Sequence, residues 1–272
     1  MEQTTFRLRI SLAIFLVTML LGTGGFMLVE GLSLGDAFYF NIVTMATVGY
    51  GDIHPVTPTG KLLAILLIVL GTGTFLGVVA NATEIMLSRR ESRSREKKLH
   101  IIIGVYFSEL GTRLLAIFAA ADPDIETMRQ DLMVENNWSD REFQKVFSRT
   151  AAYRCRPEIN RVNLPELRAL LVSRRNTLVD LLEHPILLEQ ESFTEHLQAV
   201  FHLTEELTCR PDFIDLPATD LQHLTGDMHR AYSSLVQQWI AYMKYLKFHY
   251  PYLFSLALRT NPFDPAATPV VL

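Results

Sequence analysis

The sequence predicts an all-α membrane protein in which two transmembrane helices flank a short re-entrant helix and turn, followed by a mainly helical cytosolic domain. Three observations lead there. Two runs carry no charge, Ile10 to Val29 and Leu62 to Thr83, and each is long enough to cross ~30 Å of hydrocarbon at ~1.5 Å per residue. The stretch between them is too short and too polar for a third crossing. The charge balance then changes: residues 1–100 hold 9 basic and 7 acidic side chains, residues 101–272 hold 16 and 22, so the two parts suit different solvents. The expected organisation is a two-span membrane domain at 1–87, a basic linker at 88–98 and a helical cytosolic domain at 99–272. A net charge of -4 gives no reason to expect a nucleic-acid partner.

The first run follows Arg7 and Arg9 and precedes Gly22, Thr23, Gly24 and Gly25, a pattern shared with cleaved signal peptides. Apolar character resumes at Phe26 to Val29, which favours a retained span. Arg89, Arg90, Arg93, Arg95, Lys97 and Lys98 follow the second run, whereas only Lys61 lies between the runs. Basic flanks stay inside, so a multi-pass protein of the plasma membrane with both termini cytoplasmic is expected.

Between the runs, Asp36 to Met45 reads as a short helix with an acid in its first turn, favourable to the helix dipole. It gives way to Thr47, Val48, Gly49, Tyr50 and Gly51. These five match the selectivity filter of potassium channels. A dehydrated K⁺ must be held by oxygens, and such a strand from each of four chains turns its backbone carbonyls inward to replace the hydration shell. Gly49 and Gly51 permit angles that a Cβ would penalise, and the Thr47 hydroxyl adds an oxygen at the inner end. K⁺ is thus the expected permeant ion, at Thr47, Val48, Gly49 and Tyr50, and no other cofactor is expected. One chain supplies one strand, so a ring of four implies a homotetramer in a lipid membrane.

The order of a span, a short helix, Thr44, the filter, Asp52, Pro55, Thr57, Pro58, Gly60 and a glycine-bearing second span resembles the two-transmembrane prokaryotic potassium channels over residues 10–87. Leu70 to Phe75 is similar to the inner helix of their calcium-gated members. Those channels often have Trp where Tyr39 and Phe40 stand, and some have Glu where Val43 stands, so Asp52 lacks that carboxylate partner here. The resemblance implies filter support by Thr44 and Asp52 and gating at the second span. Gly71, Gly73 and Gly77 are either bending points or close-packing positions. Glu84, near the inner end, either joins an acidic ring or faces the headgroups. Only one span precedes the filter, and no Arg-rich helix suggests a voltage sensor.

Residues 88–98 carry six basic and two acidic side chains and form the only covalent route from the cytosolic part to the second span. A nucleotide-type α/β domain is not expected beyond it, because Gly104 and Gly111 alone are weak markers and strands do not alternate with helices. Ser139-x-x-Glu142 and Ser192-x-x-Glu195 read as capping boxes. Leu164 to Leu182 carries apolar residues at helical spacing, and Tyr232, Trp239, Tyr242, Tyr245 and Phe248 form an aromatic stripe expected in the core. His202 and Glu206 share a helix face with His196 and Glu205 nearby, yet no His-Glu-x-x-His pattern supports a metal there. Cys155 and Cys209 have no metal-ligand spacing and suggest no disulfide framework. No nucleophile-base-acid set or phosphate loop marks an enzyme. The expectation is a passive, potassium-selective channel gated through its cytosolic domain, whose ligand or partner the sequence does not name; the alternative is a tetrameric membrane-anchored signalling or scaffold protein with little conduction.

Overall fold

The computed structural model describes residues 2–153 and 155–271. Among them every regular element is helical and no strand occurs. The chain divides into two compact units, Met1–Ser94 and Arg95–Leu272.

In the first unit, α1 (Glu2–Glu30) leads through a short turn to α2 (Leu34–Met45), and α3 (Pro58–Tyr106) begins after the polar loop. Ser33 caps α2: its hydroxyl accepts from the Asp36 amide at 3.1 Å and donates to the Asp36 carboxylate at 2.8 Å, satisfying an end that would otherwise expose amides. α2 lies against α1 through Phe26 and Phe40, whose rings meet edge to face at 4.7 Å. Asn41, fully buried on α2, donates to the Thr23 hydroxyl at 2.9 Å. A Cβ on Gly22 would stand 2.8 Å from the Asn41 oxygen, and one on Gly25 2.7 Å from Leu63. The small residues that resemble a cleavage site are therefore the surface that lets α1 approach its neighbours.

α3 is helical without interruption through residues 88–98, the segment expected as a basic linker. The apolar windows of α1 and α3 are only 22% and 17% buried, so most of their hydrocarbon faces outward.

In the second unit, the end of α3 passes through a π turn at Phe107–Gly111 into α4 (Thr112–Ala121), followed by α5 (Ile125–Leu132) and α6 (Asp140–Ala152). The Ser139–Glu142 capping box forms as expected. The Leu164–Leu182 run is two helices, α7 (Leu164–Ser173) and α8 (Arg175–Leu182), which break at Arg174 and bury Leu167, Leu171, Leu178 and Leu181. After α9 (Pro185–Leu188) comes α10 (Glu191–Cys209). The Ser192–Glu195 capping box does not form. The Gln190 carbonyl already accepts from Phe193 and Thr194, so the helix starts before Ser192, and the Thr194 hydroxyl turns back to the Leu187 carbonyl at 2.7 Å.

α11 (Ala218–His249) is the axis of this unit, burying Leu224, Met228, Tyr232, Leu235, Trp239 and Met243 at helical spacing. Of the aromatic stripe, Tyr232, Trp239 and Tyr245 are buried and Tyr242 is half-buried, but Phe248 is exposed. α12 (Pro251–Arg259) closes the fold. His196 of α10 is fully buried, its Nε2 2.6 Å from the Tyr106 hydroxyl and its Nδ1 2.7 Å from the Ser234 hydroxyl. Burial alone pushes its pKa down to about 3, because a charged ring has no water or acid to stabilise it. Cys155 is buried and Cys209, which ends α10, is exposed; both are free thiols.

Candidate ion-conduction site

α2 ends where its apolar spacing ends, and its last carbonyls are taken up by the turn that follows. The Val43 oxygen accepts from the Val48 amide at 2.9 Å and the Gly49 amide at 3.3 Å, and the Thr44 oxygen from the Thr47 amide at 3.0 Å. From 47 to 51 every second residue is left-handed, with φ of +62° at Thr47, +56° at Gly49 and +77° at Gly51. Glycine takes such angles freely. A β-branched residue does not, so Thr47 holds a strained backbone, of order 1–3 kcal/mol.

The segment has few walls within one chain. Val48 and Tyr50 are 52% and 72% exposed, and no heavy atom lies within 4 Å of a Cβ built on Gly49 or Gly51. Behind the turn, the Tyr39 hydroxyl of α2 donates to the Asp52 carboxylate at 2.9 Å. Asp52 thus has a partner although Val43 offers none, and Tyr39 sits at one of the positions where the resembling channels carry Trp.

The start of α3 is held by a residue that sequence reading passed over. Glu30, the last residue of α1, accepts from the Val56 amide and the Thr57 amide, each at 3.1 Å, and from the Thr57 hydroxyl at 2.6 Å. Thr57 in turn caps α3 by accepting from the Gly60 amide at 2.9 Å. A Cβ on Gly60 would collide with the Glu30 carboxylate, which explains the glycine. The available signal was a carboxylate closing the first span ahead of a Thr-Pro helix start.

The three glycines of α3 are not equivalent. A Cβ on Gly71 would stand 2.6 Å from Met45 of α2, one on Gly77 3.6 Å from Ser11 of α1, and one on Gly73 meets nothing within 4 Å. The Thr74 hydroxyl donates to the carbonyls of Leu70 and Gly71 at 2.9 and 3.0 Å, an arrangement that favours a bend. Glu84 is exposed and accepts from the Thr4 hydroxyl of α1 at 3.3 Å.

Comparison with known proteins divides along the same lines. Residues 13–88 match a family described as ion channel, and residues 95–259 match the C-terminal helical domain of the protein MJ1433. The uncharacterized protein MJ1433 of Methanocaldococcus jannaschii is 40% identical over 187 residues, 69% of this chain and 75% of that protein. Potassium channel protein 1 of the same organism is 32% identical over 114 residues, and two-pore potassium channel 4 of Arabidopsis thaliana is 56% identical over 46. These two matches span 38% and 17% of this chain but only 34% and 16% of the channels. The chain therefore belongs to the MJ1433 family, as a membrane protein in which an ion channel domain of the potassium-channel type precedes that family's C-terminal helical domain.

Proposed function

We propose that the chain is one subunit of a homotetrameric, K⁺-selective channel of the plasma membrane, passive in transport, with both termini cytoplasmic and residues 99–272 regulating an opening at α3. The observation that carries this is the left-handed backbone at Thr47, Gly49 and Gly51 between two apolar helices. Alternate left-handed residues let successive carbonyls face one side, and four such strands give the oxygen cage that a dehydrated K⁺ needs. The bare filter side chains and the outward apolar faces of α1 and α3 support a fourfold assembly, since neighbouring copies and lipid would cover them. Thr44 and Asp52 support the strand from behind, the basic run at 88–98 argues for an inward terminus, and Glu84 lies where an inner mouth would be.

Flux from liposomes containing the purified full chain tests the reading. Rapid K⁺ efflux, little Na⁺ flux, and loss of K⁺ preference in Gly49→Ala are expected. A tetramer with no flux would instead favour a membrane-anchored scaffold, and wild-type-like preference in Gly49→Ala would overturn the filter assignment.

A further inference from the structure

α10 and α11 face each other in the second unit, and each carries a His and a carboxylate four residues apart: His202 with Glu206, and His223 with Asp227. Positions i and i+4 share a helix face, and the fold turns these two faces together. His202 Nε2 lies 3.8 Å from Glu206 Oε1 and 3.6 Å from Asp227 Oδ1. His223 Nε2 lies 3.6 Å from Glu206 Oε2 and 3.4 Å from Asp227 Oδ2. One ligand atom from each of the four residues falls within 4.8 Å of the other three.

These separations are long for hydrogen bonds, which prefer about 2.7–3.2 Å. The two that join each ring to the carboxylate on its own helix, 3.8 Å from His202 Nε2 to Glu206 Oε1 and 3.4 Å from His223 Nε2 to Asp227 Oδ2, approach the about 3.3 Å edge of a tetrahedron built on metal bonds of about 2.0–2.1 Å. Asp227 adds a second, independent observation. Its side chain is only 3% exposed, and its Oδ2 is buried with no hydrogen-bond partner, a costly state for a carboxylate oxygen unless a ligand completes it. The other oxygens are already held from outside: Arg210 donates to Glu206 Oε2 at 2.8 Å and Arg230 to Asp227 Oδ1 at 3.3 Å. That leaves Glu206 Oε1 and Asp227 Oδ2 for the centre, with the arginines orienting the carboxylates from behind.

We propose that His202, Glu206, His223 and Asp227 bind one divalent transition-metal ion, of the borderline-soft class to which Zn²⁺ belongs, and that the ion staples α10 to α11. Two imidazoles and two carboxylates suit such an ion better than Ca²⁺ or Mg²⁺, which prefer oxygen alone. Sequence spacing revealed only half of the site, because the α11 pair is brought in by the fold. The inference concerns the helical unit and stands apart from the conduction reading.

The test uses the full chain in detergent carrying Cys209→Ser, which removes an exposed thiol that would compete for metal. Zn²⁺ alone should bind one ion per chain and raise the melting temperature, and Co²⁺ should give the visible absorption of a tetrahedral site. His202→Ala and His223→Ala should each weaken Zn²⁺ binding at least about a hundredfold. Both rings are about half exposed, at 46% and 53%, and apo melting curves verify that the variants fold. Absence of Zn²⁺ binding, wild-type affinity in folded His variants, or an equal response to Ca²⁺ or Mg²⁺ would overturn the proposal.

Discussion

Tyr39 holds Asp52 by a direct hydrogen bond of 2.9 Å from its phenol to the carboxylate. It ties the middle of α2 to the residue after Gly51, so the end of the proposed filter segment is anchored to a helix and not only to its own turn. Tyr39→Phe removes this one bond and little volume. With only this one hydrogen bond lost, K⁺ over Na⁺ preference should survive while the conducting state becomes shorter-lived. Single-channel recording decides; unchanged dwell times would show that the bond carries no load.

Glu30 and Gly60 should behave as a coupled pair. Glu30→Ala removes three accepted hydrogen bonds at the start of α3 and should lower the melting temperature, whereas Gly60→Ala should destabilise by collision with the carboxylate. In the double variant the obstacle is gone, so the combined loss should fall short of the sum. Thermal melting of the four proteins measures this, and strict additivity would refute the clamp.

Substitution of the α3 glycines should separate packing from bending. Gly71→Ala forces Met45 to move and should lower melting temperature or tetramer yield. Gly73→Ala has space and should act on helix flexibility, at ~1 kcal/mol per subunit. In the proposed tetramer, four subunits moving together make ~4 kcal/mol, about a thousandfold lower open-to-closed ratio. Gly77→Ala, in ordinary contact with Ser11, should be mild in both assays. Wild-type gating in Gly73→Ala would move the opening elsewhere on α3.

The buried His196 predicts a pH dependence. The folded ring stays neutral down to about pH 3, whereas the unfolded ring takes a proton below about pH 6.5. Its contribution is therefore complete above that value and is lost as pH falls from 6.5 toward 3, by at most ~1.4 kcal/mol per pH unit. His196→Gln should be less stable at neutral pH yet flatten this slope in denaturant titrations. An unchanged slope would place the dependence on other groups.

The membrane unit was largely legible in the sequence because bilayer thickness imposes run lengths and because the left-handed angles at 49 and 51 favour glycine. Those constraints are local. Thr47 was not foreseen as left-handed, since nothing in a Thr announces that angle, and Glu30 was passed over because its partners lie 26 and 27 residues away. In the helical unit, spacing located Leu164–Leu182 but not its break at Arg174, which no proline or glycine marks. It also placed His202 beside Glu206 without reaching His223 and Asp227, whose arrival depends on how α11 turns against α10.

The two cysteines differ in chemistry as they do in position. Cys155 is buried and its thiol is pushed up to about 12, chiefly by desolvation, so it holds its proton and resists alkylation. Cys209 is open to solvent at the end of α10. A maleimide dye applied to the native protein should therefore mark one position per subunit without engineering, and its emission would report movement at the α10 terminus while current is recorded.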